Sequence, residues 1–409
     1  MRSMVRSTVV AVCAVLWAAT ALAQFTIPMG SSSLTFKGFI SATAFGQDQS
    51  FTFGNGQNAE FPVPGQCRVD CWFGGGDIRN TRLTMVFDGP KVLGDWKVGG
   101  TIEMDFFGGF GSSTNSAFIE EQPVPRLRLA FIDFGNGSTT VRIGQQWSPL
   151  FGNTAVSLAH IAFPLGYGAA GDIGWRFPGI FVYQNFTAKD APVKLDAVFA
   201  VMDGSWNGPA CDTTTNCVNY LTAGNATWPQ FEARFNLGGK IGSDSTWSTY
   251  IVGHIDEKDT SGVGSSTPND RLEGSAVEIG AKFQFGPVLL QGNGYTGHSI
   301  GQQFGAITQF GKIQSTGGWV QLGFDFTKNW GVYAFWGEDD PKNSDVAAAV
   351  GNNGRVLNTM YAGMLRWKAG PLAFGLEYMF DRLTSLLPDK VTTRTTIGHQ
   401  LALSGLYNF

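Results

Sequence analysis

Four arginines, Arg82, Arg126, Arg128 and Arg142, and two carboxylates, Glu103 and Asp105, sit at alternate positions within otherwise apolar stretches of the chain. A guanidinium keeps its charge in any surroundings and grips a carboxylate through two parallel hydrogen bonds. A row of them beside an acidic pair can act in one of two ways. It sets a transverse field that sorts passing solutes by charge, or it pairs with Glu103, Asp105 and Asp133 and stiffens whatever carries it. Gln146, Asp172 and Arg176 lie just downstream and complete the candidate set.

Covalent chemistry finds little support. The histidines His160, His254, His298 and His399 are scattered. A lipid-facing hydrolase would need a serine–histidine pair, and His298 and Ser299 are adjacent. Neighbours on a strand point to opposite faces, so no hydrogen bond is expected between them, and no third partner is evident. There is no phosphate-binding loop, dinucleotide fingerprint or metal motif. No enzyme activity, cofactor or metal is therefore expected. Apart from Cys13, the cysteines form two local pairs, Cys67 with Cys71 and Cys211 with Cys217, and local pairing is the reading adopted among three connectivities. Disulfides of this kind persist in an oxidising compartment.

The elements that must position the charges are strands. From Ile397 to Phe409 one face carries Ile397, His399, Leu401, Leu403, Gly405, Tyr407 and Phe409. The other carries Gly398, Gln400, Ala402, Ser404, Leu406 and Asn408. Period-two alternation of this kind makes one face for lipid and one for a lumen. Tyr407 and the terminal Phe409 resemble the closing-strand signal that outer-membrane barrels present to their assembly machinery.

The other end is an export signal. Arg2 and Arg6 precede an apolar core from Val9 to Trp17, and Ala21-Leu22-Ala23 is a cleavage site, so residues 1–23 are expected to be removed. Cys13 lies inside the apolar core, which excludes a lipoprotein. Losing Arg2 and Arg6 takes the basic count from 28 to 26 against 32 acidic residues, a formal charge of −6 that gives no footprint for nucleic acid. Beyond the leader no segment approaches the ~20 apolar residues of a membrane helix. With 55 Gly, 33 Phe, 12 Trp, only 15% charged residues and a mean hydropathy near zero, the composition suits an outer-membrane barrel spanning residues 24–409.

Sixteen strands are predicted, at 33–45, 78–89, 95–107, 125–135, 138–148, 173–187, 193–204, 229–239, 245–257, 271–286, 287–299, 315–327, 329–340, 354–369, 371–383 and 396–409. Fourteen or eighteen stay open because 300–314 and 384–395 are ambiguous. Short turns (135–137, 190–192, 286–287, 328–329, 370–371) alternate with long stretches (46–77, 108–124, 205–228, 258–270, 341–353), the pattern of periplasmic turns and outer loops. An even number leaves both termini in the periplasm. Trp96, Val98, Ile102, Met104 and Phe106 are assigned to lipid, with Lys97, Thr101, Glu103 and Asp105 inward. Leu83, Met85 and Phe87 face out, and Asn80, Arg82 and Thr84 face in. Leu127, Leu129 and Phe131 face out against Arg126 and Arg128; Val141, Ile143 and Trp147 face out against Arg142 and Gln146. A cation on the lipid face near the midplane costs about 2–4 kcal/mol, which decides these assignments.

A barrel this wide cannot be filled by its own wall. The segment from Pro149 to Asp172 is long, comparatively apolar and almost uncharged, with glycines at 166, 168, 171 and 174 that allow close backbone approach. It is the expected constriction loop, folded inward; the other reading is a lid or a subunit contact.

The run Arg82-Leu83, then Glu103-Met104-Asp105-Phe106-Phe107-Gly108-Gly109, then Arg126-Leu127-Arg128-Leu129-Ala130, then Ile143-Gly144-Gln145-Gln146-Trp147-Ser148 resembles the DcaP-like porins. Those carry a D-F-F-G-G run, an L-R-x-R-type strand and a G-Q-x-W-S stretch in the same order. The resemblance is most specific over 78–152. It implies a homotrimeric outer-membrane channel for small, often anionic organic solutes, dicarboxylates included. Members of that family can carry a helical extension before the barrel, whereas about ten residues precede the first strand here, so walls and loops alone would hold a trimer. The expected partners are small hydrophilic solutes, outer-membrane lipids and lipopolysaccharide, and the barrel assembly machinery. The competing reading is a plugged structural or adhesin-type barrel acting through its outer loops. An energised importer is disfavoured, since no plug domain precedes the barrel.

Overall fold

The computed structural model describes residues 24–64, 71–108, 123–204, 225–259 and 271–409. Residues 1–23, Cys67, Cys211 and Cys217 lie outside them.

The strands are β1 (Phe25–Met29), β2 (Ser32–Gln47), β3 (Phe73–Asp77), β4 (Arg82–Leu93), β5 (Trp96–Asp105), β6 (Arg126–Gly135), β7 (Thr139–Trp147), β8 (Arg176–Asn185) and β9 (Val193–Met202). They continue with β10 (Asn225–Ile241), β11 (Ser245–Asp259), β12 (Arg271–Phe285), β13 (Val288–His298), β14 (Gln314–Phe324) and β15 (Trp330–Pro341). Last come β16 (Arg355–Ala369), β17 (Leu372–Leu386) and β18 (Thr393–Asn408); a short helix, α1 (Asn343–Ala349), precedes β16. Each wall strand pairs antiparallel with the next, and β18 returns to β2 through Asn408↔Phe39 to Gln400↔Gln47, so the sheet closes. β3 and β4 both lie along β2, on Thr43–Gln47 and Ser33–Phe39 respectively, and count as one wall strand interrupted at 78–81. The wall thus has sixteen positions. β1 is additional: it pairs with Ser32–Phe36 of β2, past the point where β18 ends.

The closing seam shows why the wall holds. Phe409 and Gly38 exchange both backbone hydrogen bonds at 3.0 Å. Leu401 and Leu403 stand exposed outside, while Gln400, Ala402 and Ser404 are buried inside, where Thr43 Oγ1 meets Ser404 Oγ at 2.8 Å. At one end the strands join by tight hairpins; Gly286 (φ 52°) and Gly370 (φ 54°) occupy the left-handed position that a two-residue turn needs.

The predicted facings of three residues are overturned. A β-bulge lies opposite the Glu103/Met104 step, where Leu127 pairs with Met104 but Leu129 with Glu103. The extra residue reverses the alternation. Leu129 and Phe131 therefore face the lumen rather than lipid, and Ile132 is 62% exposed outside. Trp147 also turns inward, because β7 ends there and the chain enters the lumen. Its ring stacks on Phe151 with centroids 3.7 Å apart.

Three stretches fold inside the wall at the long-loop end. The segment 149–174 does so as expected. Residues 51–61, expected in an outer loop, turn inward and bury Phe51 and Phe61 against Ala155, Leu165, Met379 and Leu383. The ambiguous stretch 300–314 adds no strand: Gln314 begins β14, and 300–313 is a 3-10 turn of helix (Gly301–Gln303) followed by turns. It lies over the inner faces of β13 to β16 with Ile300, Phe304, Ala306, Ile307 and Ile313 buried. The other ambiguous stretch, 384–395, lengthens β17 and β18 around a tight turn.

Candidate functional site: the charged wall and the inward loop

Register brings the charges together. Thr84 of β4 lies opposite Glu103 of β5, and Asp105 opposite Arg126 of β6. Arg126 holds Asp105 bidentately, Nε to Oδ1 at 2.9 Å and Nη2 to Oδ2 at 2.7 Å. Arg128, lifted by the bulge, donates to Glu103 at 2.8 Å and to Asp105 at 2.6 Å. Arg82 approaches Glu103 at 3.7 Å. Arg142 stands apart: it holds Asp133 through two bonds of 2.7 and 2.8 Å and lies 3.6 Å above the Phe131 ring. The row is therefore two units, a cluster of three arginines on two carboxylates and a separate pair.

Access differs sharply among them. The Arg128 and Asp105 side chains are 2% and 0% exposed, against 18% for Arg82 and Arg142 and 13% for Arg126 and Glu103. Only the second group can meet a solute. Aromatic rings cover Arg128, 5.6 Å from Trp147, and Arg176, 4.8 Å from Trp147 and 4.5 Å from Trp175, and flank the partly open Arg126, whose guanidinium lies 5.1 Å from the Phe163 ring. Arg176 Nε and Nη1, and both carboxylate oxygens of Asp172, are buried without a hydrogen-bond partner. Gln146 faces inward and reaches Tyr183 Oη at 3.4 Å.

The inward loop is pinned along its length by side chains from successive wall strands. Glu232 of β10 accepts from Leu150 N at 2.7 Å. Gln291 of β13 donates to Thr154 O at 2.9 Å, and Gln321 of β14 holds both the N–H and the C=O of Val156. Glu377 of β17 accepts from Ser157 Oγ, Leu158 N and Ala159 N at 2.6–2.7 Å. Gln400 of β18 meets His160 at 3.0 Å, and Asn80 takes Ala159 O and Ala162 N. At Gly171 (φ 87°) the loop backbone touches the wall so closely that a Cβ would stand 2.2 Å from Gly318 N. A chain crossing a lumen must satisfy its peptide groups, and here the wall does it.

Sequence reasoning missed most of these clamps, since an inward Gln or Glu does not announce its partner. It also missed 51–61 and 300–313, although 300–311 carries no charge at all, the same signature that marked 149–172. One expectation is corrected. His298 Nδ1 and Ser299 Oγ do meet, at 2.8 Å, because β13 ends at His298 and Ser299 leaves the strand at φ 57°. Ser299 is 4% exposed. Cys71 is disulfide-bonded. Among the described residues no group of three or more His, Cys, Asp or Glu is placed to hold a metal.

No family model matches the chain, and no curated protein matches it. Solved structures do. The outer membrane channel DcaP of Acinetobacter baumannii superposes with a TM-score of 0.65 at 15% identity, over 93% of this chain and 99% of that one. The anion-selective porin from Comamonas acidovorans gives 0.58 at 12% identity, over 92% and 100%. OmpT of Vibrio cholerae in its trimer form gives 0.53 at 11% identity, over 93% and 100%. By its closed sixteen-position wall and its inward loop, the chain has the porin-like barrel fold of these outer-membrane channels.

Proposed function

We propose that this chain is an outer-membrane porin: residues 1–23 direct export and are removed, and residues 24–409 form a passive channel for small hydrophilic solutes. The observation that carries the reading is the wall itself. Sixteen strands enclose more space than wall side chains can fill, and the inner face keeps charged groups open to the lumen. The partly exposed Arg82, Arg126 and Arg142 favour anionic solutes, dicarboxylates among them. By analogy with the trimer form of OmpT, three copies associate through walls and loops. Tyr407 and Phe409 serve the assembly machinery, lipopolysaccharide and lipid surround the wall, and Cys67–Cys71 and Cys211–Cys217 brace the outer loops.

Single-channel recording of the refolded protein under a salt gradient tests this. Steady conductance in groups of three steps with an anion-selective reversal potential is the expected result. Replacing Arg126 and Arg128 together with Ala should lower the anion preference, and an unchanged reversal potential would refute the role of the cluster. A second reading is favoured by the burial of most residues of 51–61, 149–174 and 300–313: a barrel closed by its own loops, acting at the cell surface. A folded barrel that never conducts would establish it.

A further inference from the structure

Residues 300–313 are held in a conformation that side chains resist. Phe304 (φ 63°), Ala306 (φ 56°), Ile307 (φ 50°) and Thr308 (φ 57°) are all left-handed, three of them consecutive and two of those β-branched. Each such residue costs free energy in an L-chain. Strain of this kind persists only where the surroundings over-determine it, and it clusters at gates and switches.

The surroundings are unequal on the two sides. Toward the wall the segment is fixed many times over. Ala306 N donates to Tyr295 Oη at 3.2 Å and Ile307 N to Asp339 Oδ2 at 3.4 Å. Arg355 donates to Ile307 O at 2.9 Å and Thr308 O at 3.2 Å, and the Gln309 side chain bonds the Arg355 backbone twice at 2.7 Å. Toward the inward loop the hydrogen bonds are fewer. Gly174 N donates to Gln303 O at 2.6 Å, and Thr308 Oγ1 donates to Gly168 O at 2.6 Å. The rest is apolar: Phe304 stacks on Tyr167 and Trp175, each with centroids 4.7 Å away, Ile307 packs in one buried cluster with Leu165, Ala169 and Ala170, and Ile300 in another with Leu150 and Ile173. Beside this seam the carboxylates of Glu60 and Asp172 are buried with no hydrogen-bond partner. Buried carboxylates left bare are unfavourable, and opening the seam to water would relieve them.

We propose that 300–313 is a gating segment of the channel, and that Phe304 is the side chain that closes the passage between it and the 149–174 loop. Opening draws Phe304 out of the stack as Ala306–Thr308 relax to ordinary backbone, and water reaches Glu60 and Asp172. The inference rests on the porin reading and goes beyond it, since it adds a moving segment to the expected constriction loop.

The test is planar-bilayer recording of the wild-type protein and two variants, each checked for β-structure by circular dichroism. Phe304→Ala removes the stack and should raise open occupancy roughly 2- to 12-fold, the population shift that one aromatic pair supplies. Ala306→Gly keeps the backbone bond to Tyr295 and gives up one buried methyl on the wall side, but removes the left-handed strain, so the closed state gains and open occupancy should fall by up to roughly 5- to 30-fold. Opposite shifts support the gate, as does a silent wild type beside a conducting Phe304→Ala. A conducting wild type with both variants unchanged overturns the gate and leaves the porin intact. Three folded, silent proteins overturn both.

Discussion

Arg128 and Arg142 look alike along the sequence, yet their surroundings predict different costs. Arg128 is almost fully buried on Asp105, which is itself shut off from solvent. Arg128→Ala would leave Asp105 with Arg126 alone and Glu103 without its closest cation. Breaking a buried pair in this way costs about 3–5 kcal/mol. Arg142 and Asp133 are 18% and 27% exposed, and Arg142→Ala should cost about 1 kcal/mol or less. Thermal unfolding in detergent distinguishes the two: a large drop for Arg128→Ala and a small one for Arg142→Ala. Equal drops would mean that the cluster is no more structural than the outlying pair. The identities of these residues were legible from charge at alternate positions. Their division of labour was not, because it depends on a bulge whose extra residue leaves no mark in the Arg126-Leu127-Arg128-Leu129 alternation.

At the scale of elements, the inward loop behaves as a strap pinned at intervals, and Glu377 makes three of its bonds. Glu377→Ala should release Ser157, Leu158 and Ala159 while leaving the strand pairing of β17 intact. Losing hydrogen bonds to a charged acceptor costs about 1.5–3 kcal/mol each at most. The expected outcome is noisier, larger single-channel currents with retained β-structure. Quiet wild-type currents would show that the other clamps suffice. Glu60, in the adjoining inward stretch, links the strap to pH. Burial pushes its carboxyl well above the ordinary range against the pull of Arg355, with Asp172 and Asp381 adding to the rise. A carboxyl raised in the packed arrangement stays neutral there and disfavours that arrangement once it ionises. Stability of the packed loops is therefore full at low pH and declines as pH rises above the ordinary carboxylate range toward the raised value. Channel opening should increase over that window, and Glu60→Gln should flatten the dependence. Strand positions were legible because period-two alternation is local. The strap and its partner segment were less so, since nothing in a run such as Ile300–Gly311 states which wall it will lie on.

For the molecule as a whole, the two ends of the lumen differ. The inward stretches crowd the long-loop end and bury its polar side chains, whereas the short-turn end stays open. There Lys37, Lys240 and Lys282 are exposed on inner-facing positions, and none makes an ion pair among the described residues. Lys282 lies opposite Gln291, which clamps the loop at Thr154, so the cation stands just below the narrowing. Charge placed on one side of a constriction concentrates counter-ions on that side. Anions are thus enriched at the short-turn entrance but not at the crowded end, and the current should depend on which way the field drives them. Symmetric salt should give a rectifying current–voltage curve, steeper when anions enter from the short-turn side. Lys240→Glu with Lys282→Glu should reverse that asymmetry while the Arg126 cluster, untouched, preserves part of the anion preference measured under a salt gradient. A double variant whose curve superimposes on wild type would show that the exposed lysines sit outside the conducting path. A variant that loses rectification and anion preference together would place selectivity at the entrance and leave the arginines as bracing for the wall.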